Sequence, residues 1–270
     1  MKYTVLYFSG TGNTWFVADT ISKEIGDQCH CYSIENSELD FQKIIRETDH
    51  LFLGYPIYGS EAPEPMKRFI SALEKQDNPL PTSVFVTEAY ASGDGANYLR
   101  DVLEKKNYIL KNSLEVKMSN NFYVPIFIKA FPVGDADKKE KRHEKARNRV
   151  ETWVRQILDG EKALKKIYAH QKWLGNTQRK HIGDYIKKVN EALYADDSCT
   201  KCGLCVRLCP MENIVLEDKV MFKDQCASCM RCYHACPVSA IQITAASQDL
   251  KQYPRYKGPT KDFKFVWLKK

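Results

Sequence analysis

The sequence predicts an α/β protein: a doubly wound parallel sheet with helices on both faces, and a small α+β module behind it. Three observations carry this expectation. Short runs of β-branched and aromatic residues alternate with amphipathic stretches, starting at "KYTVLYF" (2–8), and that strand–helix rhythm builds parallel sheets. The runs are continuously apolar, as strands covered on both sides must be. Eight of the ten cysteines are crowded between Cys199 and Cys236, which sets the last third apart chemically.

In order, residues 2–8 read as a buried strand. "NTWFVADTISKEIG" (13–26) has helical spacing through Phe16, Val17, Ile21 and Ile25, with Gly26 as its stop. Trp15 sits on this helix and is expected to pack rather than act. "QCHCYSI" (28–34) alternates, so Cys29 and Cys31 share one strand face and read as buried, inert thiols. "HLFLGYPI" (50–57) is the next buried strand, followed by a helix over "APEPMKRFISALEK" (62–75), with proline near its start. "SVFVTEAY" (83–90) repeats the pattern, backed by a helix over "GDGANYLRDVLEKK" (93–106). "NFYVPIFI" (121–128) is expected to form a further strand. Residues 135–168 read as a charged helix with Val150, Trp153, Val154, Ile157 and Leu158 on its apolar side.

These elements divide the chain into 1–164, a basic helical connector at 165–194, a cysteine module at 195–247 and a tail at 248–270. Prolines and a glycine argue against regular structure in the tail, whose "FVWL" (265–268) is expected to pack back onto the body.

Hydrophobic residues make up 43% and charged residues 28%, the balance of a globular protein. No apolar run reaches the ~18 residues of a membrane span, and residues 1–12 lack the pattern of a secretory signal, so a cytoplasmic protein is expected. The net charge of +7 is unevenly spread: −5 over 1–128 (12 basic, 17 acidic), +9 over 129–190 (17 and 8) and +3 over 191–270 (12 and 9). A solvated basic face accounts for the middle segment, with docking of an acidic partner as the alternative. No nucleic-acid-binding motif accompanies the charge.

The cysteines form two copies of C-x2-C-x2-C-x3-C-P: Cys199, Cys202, Cys205, Cys209 and Pro210, then Cys226, Cys229, Cys232, Cys236 and Pro237. Three thiolates on one tight loop cover three corners of a cube, and the fourth must come from elsewhere. Structural zinc is the competing reading, but it prefers separated C-x2-C pairs in closed tetrahedra. The pattern matches that of bacterial two-cluster ferredoxins, in which the fourth cysteine of each run serves the other cluster. That resemblance implies two [4Fe–4S] clusters, one on Cys199, Cys202, Cys205 and Cys236, the other on Cys226, Cys229, Cys232 and Cys209.

Between the first strand and first helix lies "SGTGNT": Ser9, Gly10, Thr11, Gly12, Asn13 and Thr14. Hydroxyls and free N–H groups converge there at a helix N-terminus, where the dipole favours an anion. The segment is neither a Walker A loop nor GxGxxG; on its own it is equally an ordinary turn. In position and composition it resembles the FMN-phosphate loop of flavodoxins. That resemblance, over roughly residues 1–160, implies a sheet of order 2-1-3-4-5 and a bound FMN. It places ring-flanking loops at Pro56, Ile57, Tyr58 and Gly59, and at Glu88, Ala89, Tyr90, Gly93 and Gly95. Tyr58 and Tyr90 are candidates to sandwich the ring, and Gly59 to permit a peptide flip beside it.

Together the two halves resemble flavodoxin–ferredoxin fusion proteins of anaerobes. The pairing implies electron transfer that couples one-electron with two-electron partners. Two readings stay open here: a shuttle between redox proteins, or an FMN-dependent reductase of a small organic oxidant fed by its own clusters. A redox sensor is a third, without an effector segment to support it.

Overall fold

The computed structural model describes residues 1–125, 136–164 and 166–270. A five-stranded parallel sheet is formed by β1 (Tyr3–Tyr7), β2 (Cys29–Ser33), β3 (His50–Pro56), β4 (Leu80–Glu88) and β5 (Tyr108–Lys117) in the order β2-β1-β3-β4-β5. This is the flavodoxin-like arrangement. Strand alternation splits its apolar residues between two cores. Leu6, Leu53, Tyr55, Val84 and Val86 face α3 (Glu64–Ala72) and α4 (Arg100–Lys105), while Tyr3, Val5, Phe52 and Phe85 face α1 (Asn13–Ile25) and α5 (Ala136–Leu158). A short α2 (Phe41–Arg46), capped by the Asp40 carboxylate on the Lys43 N–H, completes this half.

Two expectations need correcting. The fifth strand is Tyr108–Lys117, not 121–128: residues 121–125 form no strand, and 126–128 lie outside the described residues. β5 escapes a search for apolar runs because it is the sheet edge, with Lys111 and Lys117 exposed along it. Phe122 and Val124 are apolar for another reason, since they pack into the core of the cysteine module. The helix expected over 135–168 ends at Leu158, where Gly160 adopts φ 79°. Val150, Trp153, Val154 and Ile157 are buried as expected, but Leu158 at this terminus is 42% exposed.

After α6 (Ala169–Glu191) come β6 (Tyr194–Ala195), α7 (Leu204–Leu208), β7 (Ile214–Leu216), β8 (Val220–Phe222), α8 (Arg231–Ala235) and β9 (Ile241–Gln242). β6 pairs with β9 and β7 with β8, both antiparallel. The tail then runs back onto the sheet domain. The Ser33 N–H and hydroxyl donate to the carbonyls of Lys270 (3.1 Å) and Leu268 (2.6 Å), and Phe263 and Trp267 pack on Trp15 at 5.3 and 5.4 Å. Leu268 is fully buried, so "FVWL" does fold back, as a 3-10 turn over Phe265–Lys269. Trp15 is thus a packing residue. Cys29 and Cys31 pack beside the α1 face of the sheet, and burial pushes the Cys29 thiol up to about 11. Among the described residues no helix is long and apolar enough to cross a membrane.

Candidate functional site

A cavity of ≈ 410 Å³ opens at the carboxyl ends of β1, β3, β4 and β5. Doubly wound sheets bind ligands at this edge, where strand order reverses. All the predicted flavin-site residues line it except Gly12, Gly93 and Gly95. Those three support it from behind. Gly12 caps α1 at φ 103°, and a side chain there would strike Pro259 and Phe263. Gly93 (φ 62°) lies against the backbone of α6 at Gln171 and Gly175, and Gly95 against Ser92 and Ile57.

The loop between β1 and α1 is tied at each hydroxyl. Ser9 Oγ accepts the Gly12 N–H at 3.1 Å, Thr14 Oγ1 bonds Thr87 Oγ1 at 2.9 Å, and the Asn121 amide donates to Thr11 Oγ1. The Asn13 amide donates to the Ser119 carbonyl at 2.9 Å, and its oxygen accepts from Tyr256 of the tail at 2.5 Å. Among the described residues lining the cavity there is no Lys, Arg or His. An anion here meets hydroxyls, N–H groups and the α1 dipole, a fit for a phosphate monoester.

Tyr58 and Glu61 close a tight turn (Tyr58 N to Glu61 O, 3.0 Å; Glu61 N to Tyr58 O, 3.2 Å), with Gly59 and Ser60 at φ 62° and 67°. Two left-handed residues in succession make a type I′ turn, which costs a non-glycine about 1–2 kcal/mol. Ser60 is held there by α6: its hydroxyl bonds Gln178, and its carbonyl accepts from Arg179 at 3.0 Å. Arg179 also grips Asp94 with both terminal nitrogens (2.8 and 3.1 Å), and Gln178 donates to the Ala91 carbonyl at 3.1 Å. The basic connector is therefore part of the site. It clamps both ring-flanking loops and lends Gln178 and Ile186 to the cavity wall.

The cysteines ring two further cavities. One is lined by Cys199, Cys202, Cys205 and Cys236, the other by Cys209, Cys226, Cys229 and Cys232. Each takes three thiols from one run and the fourth from the other. Four thiols round each cavity are the ligand number and kind that a cubane takes. The backbone repeats with the cysteines: Lys201 and Ser228, Gly203 and Met230, and Glu212 and Ser239 have positive φ in matched positions of the two runs. The resulting turns aim N–H groups at sulfur, from Asn213 to Cys209 (3.3 Å), Ala240 to Cys236 (3.2 Å) and Ser228 to Cys226 (3.4 Å).

The two halves meet at this second ring. Ser228 lines both it and the sheet-edge cavity. A side chain built on Gly10 would stand 2.6 Å from the Cys229 carbonyl and 2.6 Å from the Tyr58 hydroxyl. Arg231, fully buried, uses all five donors, four of them across the junction: Nε on Gly10 O (3.1 Å), one terminal nitrogen on Ser9 O (2.7 Å) and Glu35 (2.6 Å), the other on Glu35 (2.8 Å) and, within its own module, on Leu208 O (2.9 Å). His234 adds a second tie. The Tyr256 N–H donates to its Nδ1 (3.0 Å), so Nε2 carries the proton donated to Asn121 O (2.7 Å), and burial pushes its pKa down to about 3. It is a neutral link, not an acid or base.

Several wall residues lie outside the sequence-based set. Met118, Ser119, Asn120, Asn121 and Phe122 follow β5, and recognising that edge strand would have located them. Gln178, Ile186 and Ser228 carry no sequence signal for this role.

Residues 4–122 match the family model of the flavodoxin domain, and residues 198–241 that of the 4Fe-4S dicluster domain. Among solved structures, 57% of the chain aligns with 98% of oxidised flavodoxin 1 from Bacillus cereus at 20% identity and a TM-score of 0.38. Likewise, 58% aligns with 99% of general stress protein 14 from Treponema denticola, solved in complex with FMN, at 12% identity and a TM-score of 0.43. The two-electron reduced flavodoxin of Megasphaera elsdenii aligns over 45% of the chain and 90% of its own, at 20% identity and a TM-score of 0.38. Among curated proteins, none matches the sequence.

Proposed function

We propose that this chain, a flavodoxin domain fused to a 4Fe-4S dicluster domain, carries electrons between two [4Fe–4S] clusters and an FMN, and so couples one-electron to two-electron redox partners. When bound, FMN exchanges one or two electrons and each cluster exchanges one, chemistry that belongs to the cofactors. The protein's part is placement. Ser9, Thr11, Thr14 and the N–H groups of the β1–α1 loop hold the phosphate. The turns at 56–60 and 88–91 flank the ring, clamped by Gln178 and Arg179. Cys209, Cys226, Cys229 and Cys232 hold a proximal cluster, and Cys199, Cys202, Cys205 and Cys236 a distal one.

The shared wall carries this reading: Ser228 borders both the flavin cavity and the second cysteine ring. At the other ring Cys202 is exposed, so a redox protein docking there meets the distal cluster first. The order partner, distal cluster, proximal cluster, flavin follows from which residues border which cavity. Direction of flow is set by potentials.

The test exploits the crossed ligand sets. Cys209→Ser is expected to spare FMN and the distal cluster, yet slow flavin reduction by a one-electron protein donor more than tenfold in anaerobic stopped-flow. Cys236→Ser is expected to remove the distal signal instead. Unchanged flavin reduction in Cys209→Ser overturns the proposed route. Saturable reoxidation of the reduced protein by a quinone or enone would make it a reductase instead.

A further inference from the structure

Tyr58 lines the sheet-edge cavity and reaches towards Cys229 of the second cysteine ring. Its ring lines the flavin cavity, while its hydroxyl is sealed from solvent with no hydrogen-bond partner among the described residues. Leaving a buried hydroxyl unbonded costs more than one such bond contributes, so an uncommitted phenol at a cofactor junction calls for an acceptor. The surroundings narrow the choice. The hydroxyl and the Cys229 carbonyl both crowd the place where a Gly10 side chain would stand, each 2.6 Å from it, with the Cys229 Cβ at 3.3 Å, and the absent side chain leaves room for both. The ionisable groups acting on it include Cys229, Arg231 and Cys226. Arg231 has no donor to spare, because its five N–H groups are taken by Ser9, Gly10, Leu208 and Glu35. Tyr58 thus brings a free O–H to the Cys229 side of the second ring.

We infer that Tyr58 donates its phenolic hydrogen bond to a sulfur of the proximal cluster, either the Cys229 thiolate or an inorganic sulfide, while its ring forms part of the flavin wall. The inference rests on the cofactor placement proposed above. A donor to cluster sulfur favours the reduced, more negative state and raises the potential. Since the proximal cluster is the one beside the flavin, the bond sets how far an electron is drawn from the distal cluster towards FMN. Tyr58 is a tuning residue, not a catalytic one.

The test is Tyr58→Phe in the holoprotein, which removes the oxygen and keeps the ring, followed by an anaerobic redox titration monitored by EPR. Because the bond is stronger to the more negative, reduced cluster than to the oxidised one, it shifts the reduced-to-oxidised ratio, by about tenfold for a charge-assisted bond. That corresponds to about 59 mV for a one-electron couple, here negative and confined to the proximal cluster. Site-specific replacement of Tyr58 by 3-fluorotyrosine, a more acidic donor of nearly the same shape, moves the potential the other way and serves if the phenylalanine variant fails to assemble. Two clusters that titrate as in the wild type in both variants, or that shift equally, overturn the inference. Wild-type protein without eight irons and one FMN overturns the cofactor reading instead, so the two failures are distinguishable.

Discussion

Replacing Arg231 by methionine tests whether the two halves act as one unit. The side chain is fully buried and its partner Glu35 nearly so, at 8% exposure. Methionine keeps apolar volume but strands the Glu35 carboxylate and leaves the Ser9, Gly10 and Leu208 carbonyls without their donor. Breaking a buried pair from one side costs about 3–5 kcal/mol. For a chain of this size that is a fall in Tm of order 10 °C, at about 2–4 °C per kcal/mol. Because two of the lost acceptors belong to the β1–α1 loop proposed to hold the phosphate, FMN affinity is expected to weaken at least tenfold. Arg231→Lys, with three donors for five acceptors, is expected to fall between. Thermal melts and FMN titration by flavin fluorescence measure both effects. In Arg231→Met with Glu35→Met the carboxylate is no longer stranded, so the double variant should lose less than the sum of the singles. A single variant within about 1 kcal/mol of wild type, with additive behaviour in the double, refutes the reasoning.

Two further outcomes follow from close packing and burial. Gly10→Ala drives a methyl into the Cys229 carbonyl and the Tyr58 hydroxyl, each at 2.6 Å. Backbone cannot yield as a side chain can, so about 1–3 kcal/mol of stability is expected to be lost, with weaker FMN retention; a variant melting and binding as wild type contradicts the junction. His50 and His143 have pKa values lowered to about 4, mainly by burial. A depressed histidine pKa means that the unfolded chain takes up the proton first. The stability is therefore complete above the unfolded value of about 6.5 and is lost as pH falls towards 4, about 1–2 kcal/mol per histidine by pH 5. Urea midpoints at pH 7 and 5 show it, and replacing either histidine by glutamine should flatten the slope.

The parts of the site legible in the sequence are those where local chemistry dictates residue type. Iron ligation needs thiolates at set spacing, so the cysteine runs stand out in the sequence, and the crossed sets that their resemblance implies are the sets that line the two cysteine cavities. A phosphate at a helix start needs hydroxyls and glycines, and "SGTGNT" supplies them. The loops after β3 and β4 stand out because those strands are central and carry continuous apolar runs, Leu51–Leu53 and Val84–Val86. The edge strand β5 carries exposed lysines and hid the loop behind it. Gln178 and Arg179 looked like a solvated basic helix, since their acceptors, Ser60, Ala91 and Asp94, lie more than eighty residues away in sequence. Arg231 stood between two cysteines without any sign that Glu35 would meet it.

These long-range ties bear on why the domains share a chain. Two carriers on a flexible tether would find each other by diffusion at an effective concentration set by the linker. Here the connector is itself a docked helix, the tail returns to pair with β2 and to bond Asn13, and Arg231 joins the phosphate loop to the cysteine loop. The flavin cavity has walls from the sheet loops, from α6 and from the dicluster domain at once. Electron passage across a junction so constructed does not wait for an encounter, and its rate should be independent of protein concentration and little affected by salt, whereas docking of an external redox protein at the exposed Cys202 end should respond to both. Stopped-flow at varied ionic strength separates the two steps. If intramolecular flavin reduction slows with salt as steeply as the docking step, the halves are not fixed against each other.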